Sequence, residues 1–162
     1  MPFLYLAQKQ NKNWIPLAAM KYIANYLSMP YISVYEVATF YTMYNLSPVG
    51  KYFVQVCTTT PCLIRGADKI VKICKEKISQ NENEISKKGN CSWMEVECLG
   101  ACVNAPMMQI NDDYFEDLDK EKTLKILDKV LNRETPEPGS YRGRTNNEPE
   151  NNRKTLMDIK NA

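Results

Sequence analysis

Histidine is absent from this 162-residue chain, and glycine is scarce at six residues. The first absence removes His–metal sites, Ser-His-Asp and Cys-His catalysis, and the histidine ligation of Rieske-type iron–sulfur centres. The second matters through arrangement: the glycines compose neither a G-x-G-x-x-G fingerprint nor a P-loop, so no dinucleotide- or phosphate-binding loop is predicted. No C-x-x-C dithiol occurs, which argues against thioredoxin-type disulfide exchange. A dominant charge sign is also lacking. With 21 Lys+Arg against 19 Asp+Glu the formal charge is +2, too little for a nucleic-acid footprint, and Lys69, Lys72, Lys75 and Lys77 read as a solvated helix face. No apolar run approaches the roughly 20 residues of a bilayer span, and neither a secretory nor a transit pattern opens the chain. Direct membrane insertion is therefore not expected, and any membrane association must come through partners.

What is present is ordinary for a folded domain: 44% hydrophobic and 25% charged residues. Six cysteines in such a chain, without a secretory signal, favour a reduced compartment and thiolate ligands over a disulfide framework.

Three stretches differ in pattern. Residues 1–48 read as a helical region: "FLYLA", then a helix opened by Pro16 at its first position with Leu17, Met20, Ile23, Ala24 and Leu27 on one stripe, then a third helix. Ser33 and Glu36 form an S-x-x-E capping box for that third helix, predicted to run to Pro48. Its Tyr35, Phe40, Tyr41 and Tyr44 read as core or interface. Residues 49–132 read as an α/β domain: strand "KYFVQV", a helix over 65–78 with Ile70, Cys74 and Ile78 on one ladder, strand "CSWMEVE", and a hairpin about "NDD". A final helix, capped by Asp119, follows with Leu124, Leu127 and Leu131 on a common face. Residues 133–162, rich in Pro, Gly and Asn with hardly an apolar residue before Leu156, form a tail expected to be extended or disordered unless a partner surface supplies contacts.

Four cysteines carry the chemistry. Cys57 and Cys62 fall on one turn after a strand, and Cys98 and Cys102 on another. Facing each other, such loops can hold zinc, a [2Fe–2S] cluster or two disulfides. Zinc fits the second pair, while the four-residue gap of "CTTTPC" is wide for it. A gap of that length also occurs between the first ligands of plant-type ferredoxins, although the second pair departs from their order. Gly66, Gly100 and Ala101 stand where close backbone approach would serve a cluster, or merely where turns need them, and Thr58, Thr59 and Thr60 offer hydroxyl donors. Cys74 reads as a small buried apolar residue, and Cys91 has no partner at ligand spacing.

"YEVATFYTMYNLSPVGKY", "VQVCTTTPC", "ECLGACVNAPMMQINDDYFEDL" and "PGSYRGRTNNEPE" occur in that order. Together they closely resemble the [2Fe–2S] 24-kDa subunit family of respiratory complex I, the NADH:quinone oxidoreductase. That resemblance implies an N-terminal helical region, shorter here than is usual in the family, a thioredoxin-like domain, and an extended tail along partner surface. It implies that Cys57, Cys62, Cys98 and Cys102 ligate a [2Fe–2S] cluster. It further implies electron exchange with FMN on a flavoprotein subunit that also binds NADH, with a large iron–sulfur subunit as neighbour. The location implied is the matrix side of the mitochondrial inner membrane, or the cytoplasmic face of a bacterial one. Two alternatives stand beside this reading: a diaphorase subunit of an NAD-linked hydrogenase or formate dehydrogenase, and a zinc-stapled interaction module.

Overall fold

A computed structural model describes residues 1–87 and 89–149. The residues beyond 149, including Leu156, lie outside the described part.

Three helices come first: α1 (Pro2–Gln10), α2 (Leu17–Tyr26) and α3 (Tyr31–Phe40). Of the α2 stripe, Met20, Ile23 and Ala24 are buried beside Leu4, Ile15, Val34 and Ala38 in a small core of their own, whereas Leu17 and Leu27 at its two ends are exposed. Pro16 is the residue before α2 rather than its first turn. The expected capping box is not used. Helix α3 starts two residues earlier, directly after Pro30, whose carbonyl receives the Ser33 N–H at 3.1 Å, so Ser33 lies inside the helix.

Nor does α3 reach Pro48; it ends at Phe40, with Tyr41 extended. The following backbone is taken by α1 and the loop after it. Buried Gln8 donates to the Met43 carbonyl at 3.0 Å and accepts the Asn45 N–H at 2.7 Å, while Ile15 N–H donates to the Asn45 carbonyl at 2.8 Å. These tertiary partners replace the next helical turn. Of the four aromatics near this end, Tyr44 is core, whereas Tyr35, Phe40 and Tyr41 are exposed.

The second half is a five-stranded mixed sheet in the order β2-β1-β3-β4-β5. Its strands are β1 (Tyr52–Cys57), β2 (Cys91–Val96), β3 (Met108–Ile110), β4 (Asp113–Glu116) and β5 (Gly139–Ser140). Strands β1 and β2 are parallel, which demands a crossover. Two helices supply it: α4 (Thr60–Ile64) and α5 (Ala67–Lys77). The single helix expected over 65–78 therefore begins later. Gly66, at φ 102°, sets the break, a backbone region that costs an L side chain. Lys69, Lys72, Lys75 and Lys77 all face solvent on α5, while Ile70 and Cys74 are buried.

Val54 and Val56 on β1, Trp93 on β2, and the inward residues of α5 and α6 (Lys120–Leu131) form the main core. The β3–β4 hairpin turns at Asn111 and Asp112 as expected, with Asn111 at φ 55°. The helical region is moored to this turn: Lys9 pairs with Asp112, and Asn13 donates to Asn111 Oδ1 at 3.4 Å. Gly50 is a steric necessity, since a Cβ there would stand 2.6 Å from the Cys91 backbone.

Asp119 caps α6 as its sequence position implies, accepting the Lys122 N–H at 2.9 Å. Asp119→Ala is expected to lower stability by about 1 kcal/mol, read as a reduced midpoint in urea with an unchanged slope. A midpoint equal to wild type would mean that the exposed cap contributes nothing measurable.

The tail differs most from expectation. Through residue 149 it lies on its own domain: β5 pairs with β4 through Phe115↔Gly139 and Glu116↔Ser140, and Tyr141 packs against the main core. The missing apolar contacts are offset by a buried ion pair between Asp117 and Arg144, which no local pattern signals.

Candidate metal centre

The register of the parallel pair places the site. Cys57, the last residue of β1, aligns with Val96, the last of β2, so the chains leaving both strands emerge side by side at one sheet end. In open α/β sheets this carboxyl end is where ligands gather. From β1 the chain goes through Thr58 and Thr59 into α4, which carries Cys62 on its buried side, so the first pair spans a strand end and a helix rather than one turn. From β2 it goes through Cys98, Leu99 and Gly100 to a 3₁₀ turn over Cys102–Asn104. Cys57 and Cys62 are buried with Ala67, Ala105 and Met107 in a small apolar cluster, whereas Cys98 is exposed and Cys102 half-buried.

Each pair is close. Cys98 Sγ lies 3.3 Å from Cys102 Sγ, and Cys57 and Cys62 pack together in one buried cluster. Every pair contains one thiol pushed down and one pushed up. Burial would raise Cys57, but the Thr59 hydroxyl 3.3 Å from its sulfur, the Cys62 thiol and the Thr59 and Leu99 backbone N–H groups outweigh burial and lower it. Burial and then the neighbouring Cys57 push Cys62 up to about 12. The Gly100 N–H, 3.4 Å from Cys98 Sγ, and the Cys102 thiol lower Cys98, and Cys102 is raised chiefly by its bond to Cys98. The charge of Cys57 also raises Cys98 and Cys102 slightly, so the two pairs feel each other at the same end of the sheet.

Several expected side chains have different tasks. Thr58 aims at the Val96 carbonyl at 3.5 Å, and Gly66 is the residue from which α5 starts. Cys74 is wholly buried, and burial followed by its neighbour Cys91 pushes its thiol far up. Burial pushes the Cys91 thiol up to about 12. Neither belongs to the thiol site. Tyr114, which holds the Leu99 carbonyl at 2.7 Å, was not legible in the sequence, because it reaches the loop only through the hairpin register.

A family model for thioredoxin-like [2Fe–2S] ferredoxins matches residues 1–131. The chain belongs to that family. Among its relatives, a subunit of the NADH-quinone oxidoreductase of Rickettsia bellii (strain RML369-C) is 59% identical over 132 residues, covering 82% of this chain and 79% of the relative. The mitochondrial NADH dehydrogenase [ubiquinone] flavoprotein 2 of Dictyostelium discoideum is 44% identical over 158 residues, 98% of this chain and 64% of that protein. The solved NAD+-reducing [NiFe]-hydrogenase in the H2-reduced state shares the fold, with a TM-score of 0.68 at 16% identity. That match covers 82% of this chain and 22% of the hydrogenase chain.

For a thioredoxin-like [2Fe–2S] ferredoxin the donor set fits the group the family name carries. Four thiols come as two pairs; the Gly100 N–H donates to Cys98 Sγ, and the Leu99 and Met107 backbones favour the ionised forms of Cys57 and Cys62. Such donors suit an anionic centre whose sulfurs accept hydrogen bonds. Among the described residues no group of three or more Cys, Asp or Glu side chains is arranged around a single metal ion.

Proposed function

We propose that this chain is the electron-transfer subunit of the NADH dehydrogenase module of respiratory complex I, with Cys57, Cys62, Cys98 and Cys102 as the ligands of its [2Fe–2S] cluster. The observation that carries the reading is the delivery of two thiol pairs to one sheet end by the β1/β2 register. Two thiolates from each loop suit a binuclear centre, whereas a single zinc ion calls for four sulfurs around one point.

When bound, the cluster supplies one-electron transfer. The chain's own residues set its surroundings. Cys57 and Cys62 are shut away among Ala67, Ala105 and Met107, which limits water on that side. Cys98 is open, and around the loops Leu63, Ile64 and Val103 present apolar side chains that are 49%, 78% and 62% exposed. A protein partner seated there would bring its own redox group near the open side of the site. That partner is, in our reading, the flavoprotein subunit carrying FMN and the NADH site, with the large iron–sulfur subunit adjoining. The complex I subunits among the relatives support this placement. No helix among the described residues is long and apolar enough to cross a membrane. Attachment to the peripheral arm, on the matrix side in a mitochondrion or the cytoplasmic face in a bacterium, agrees with that.

Anaerobic iron, sulfide and zinc analysis of the purified chain, with EPR after dithionite reduction, tests the proposal. About two irons and two sulfides per chain with a rhombic reduced signal are expected. Stoichiometric zinc without a signal would move the chain to a structural role stapled by its thiols.

A further inference from the structure

The turn that carries Cys102 has little to hold it from within. Its own bonds are few, Asn104 N–H to the Ala101 carbonyl at 3.0 Å and Ala105 N–H to the Cys102 carbonyl at 3.3 Å, and the Val103 side chain is exposed rather than anchored. Yet the turn is gripped from outside by two segments distant in sequence. Asp117 N–H donates to the Asn104 carbonyl at 2.8 Å, and the Asn104 amide donates to Glu116 Oε2 and to the Asn146 carbonyl, each at 2.7 Å.

One guanidinium ties these segments together. Arg144 Nε donates to Asp117 Oδ2 at 2.9 Å, and its Nη2 donates both to Asp117 Oδ1 and to the Val103 carbonyl, the latter at 3.0 Å. Its Nη1 donates to the Glu148 carbonyl at 3.1 Å, which bends the tail back on itself. The Asp117 side chain is fully buried and that of Arg144 nearly so. Ser140 on β5 completes the clamp by donating to Asp117 Oδ2 at 2.6 Å. A rigid planar fork is needed to bridge a carboxylate and a carbonyl at once; an ammonium is a point charge and cannot span them in the same way.

We propose that Arg144 is a positioning residue for the second thiol pair: by bridging buried Asp117 to the carbonyl that follows Cys102, it fixes the turn carrying that sulfur and slows release of bound iron. The tail is then part of the metal site's support, a role additional to any partner contact. The inference rests on the reading of the four cysteines as ligands.

The test uses the full chain, purified anaerobically, as wild type, Arg144→Gln, Arg144→Lys and, as a destabilised control that leaves the Arg144 contacts intact, Asp119→Ala. Each is held at the same interval below its own melting temperature and challenged with a ferrous chelator, and the dithionite-reduced EPR line shape is recorded. Arg144→Gln is expected to lose iron several-fold faster than Asp119→Ala, with altered rhombicity, and Arg144→Lys, which keeps the charge opposite Asp117, is expected to follow it. Should Arg144→Gln not fold, the lysine variant carries the comparison. Iron loss at the control's rate with an unchanged line shape would overturn the inference while leaving the ligand reading intact. Full rescue by lysine would overturn it as well, because charge alone would then suffice. A wild type that binds neither iron nor sulfide would remove both.

Discussion

Replacing Cys98 with serine is expected to abolish or severely weaken iron binding, with loss of the reduced EPR signal, whereas Cys74→Ser keeps both. Two different environments for the same side chain set the contrast. Cys98 is exposed, 3.3 Å from Cys102, and its thiol is pushed down by the Gly100 N–H, so it is prepared to act as a thiolate. Serine keeps the shape there but offers a far weaker ligand for iron. Cys74 lies on the inner face of α5, wholly buried among Ile70, Ile73 and Cys91, and its thiol is pushed up, so it stays a neutral apolar filler. Serine at that position buries a hydroxyl in an apolar core and is expected to cost about 1–3 kcal/mol, seen in a denaturant titration rather than in iron content. Iron-to-protein ratios of the two purified variants decide the matter. Equal loss of iron in both would refute the ligand assignment.

Asp117→Ala is expected to destabilise the chain by about 3–5 kcal/mol, because it strands the guanidinium of a buried pair, lowering Tm by roughly 6–20 °C for a chain of this length. Asp117 also sits at φ 55°, a left-handed conformation that Asn and Asp tolerate better than alanine. Asp117→Asn therefore isolates the charge. Burial by itself would raise the Asp117 carboxyl; the Arg144 hydrogen bonds and the Ser140 hydroxyl outweigh it, and Arg144 and Arg142 add charge, so the group is held below its ordinary range. A depressed carboxylate contributes stability that is fully present above its unfolded value of about 3.9 and is lost as the pH falls through the folded value. The stability gap between wild type and Asp117→Asn should accordingly be constant near neutrality and narrow below about pH 4. Urea titrations at several pH values measure the gap. If it held constant down to the acid transition, the clamp would not owe its strength to ionisation.

Local patterns told much of the domain. β-rich "KYFVQV" and "CSWMEVE" became the parallel pair of β1 and β2, "NDD" became the hairpin turn, and Asp119 capped the last helix. These features depend on neighbours within a few residues, so side-chain alternation, turn chemistry and capping suffice to read them. The Ser33–Glu36 box is equally local and was still overruled, because Pro30 starts the helix earlier and leaves Ser33 in its interior. The premature end of α3 shows the other way in which local pattern yields: Gln8, more than thirty residues away, takes the backbone groups of Met43 and Asn45 that another helical turn would use.

At the thiol site the division is similar. The residue types and their spacing singled out Cys57, Cys62, Cys98 and Cys102, while the lack of histidine had already excluded the commonest competing chemistries. Only tertiary structure placed Cys62 on a short helix, matched the ends of β1 and β2, and set the Gly100 N–H against Cys98 Sγ. The tail's composition predicted neither its docking nor its clamp. A salt bridge between positions 117 and 144 has no periodicity to reveal it. Sequence by itself determined which thiols were available and most of the segments that became strands and helices, since those depend on side-chain chemistry and near neighbours. Tertiary structure decided which loops meet and what holds them, because parallel register and buried charge pairing arise only after distant segments have packed.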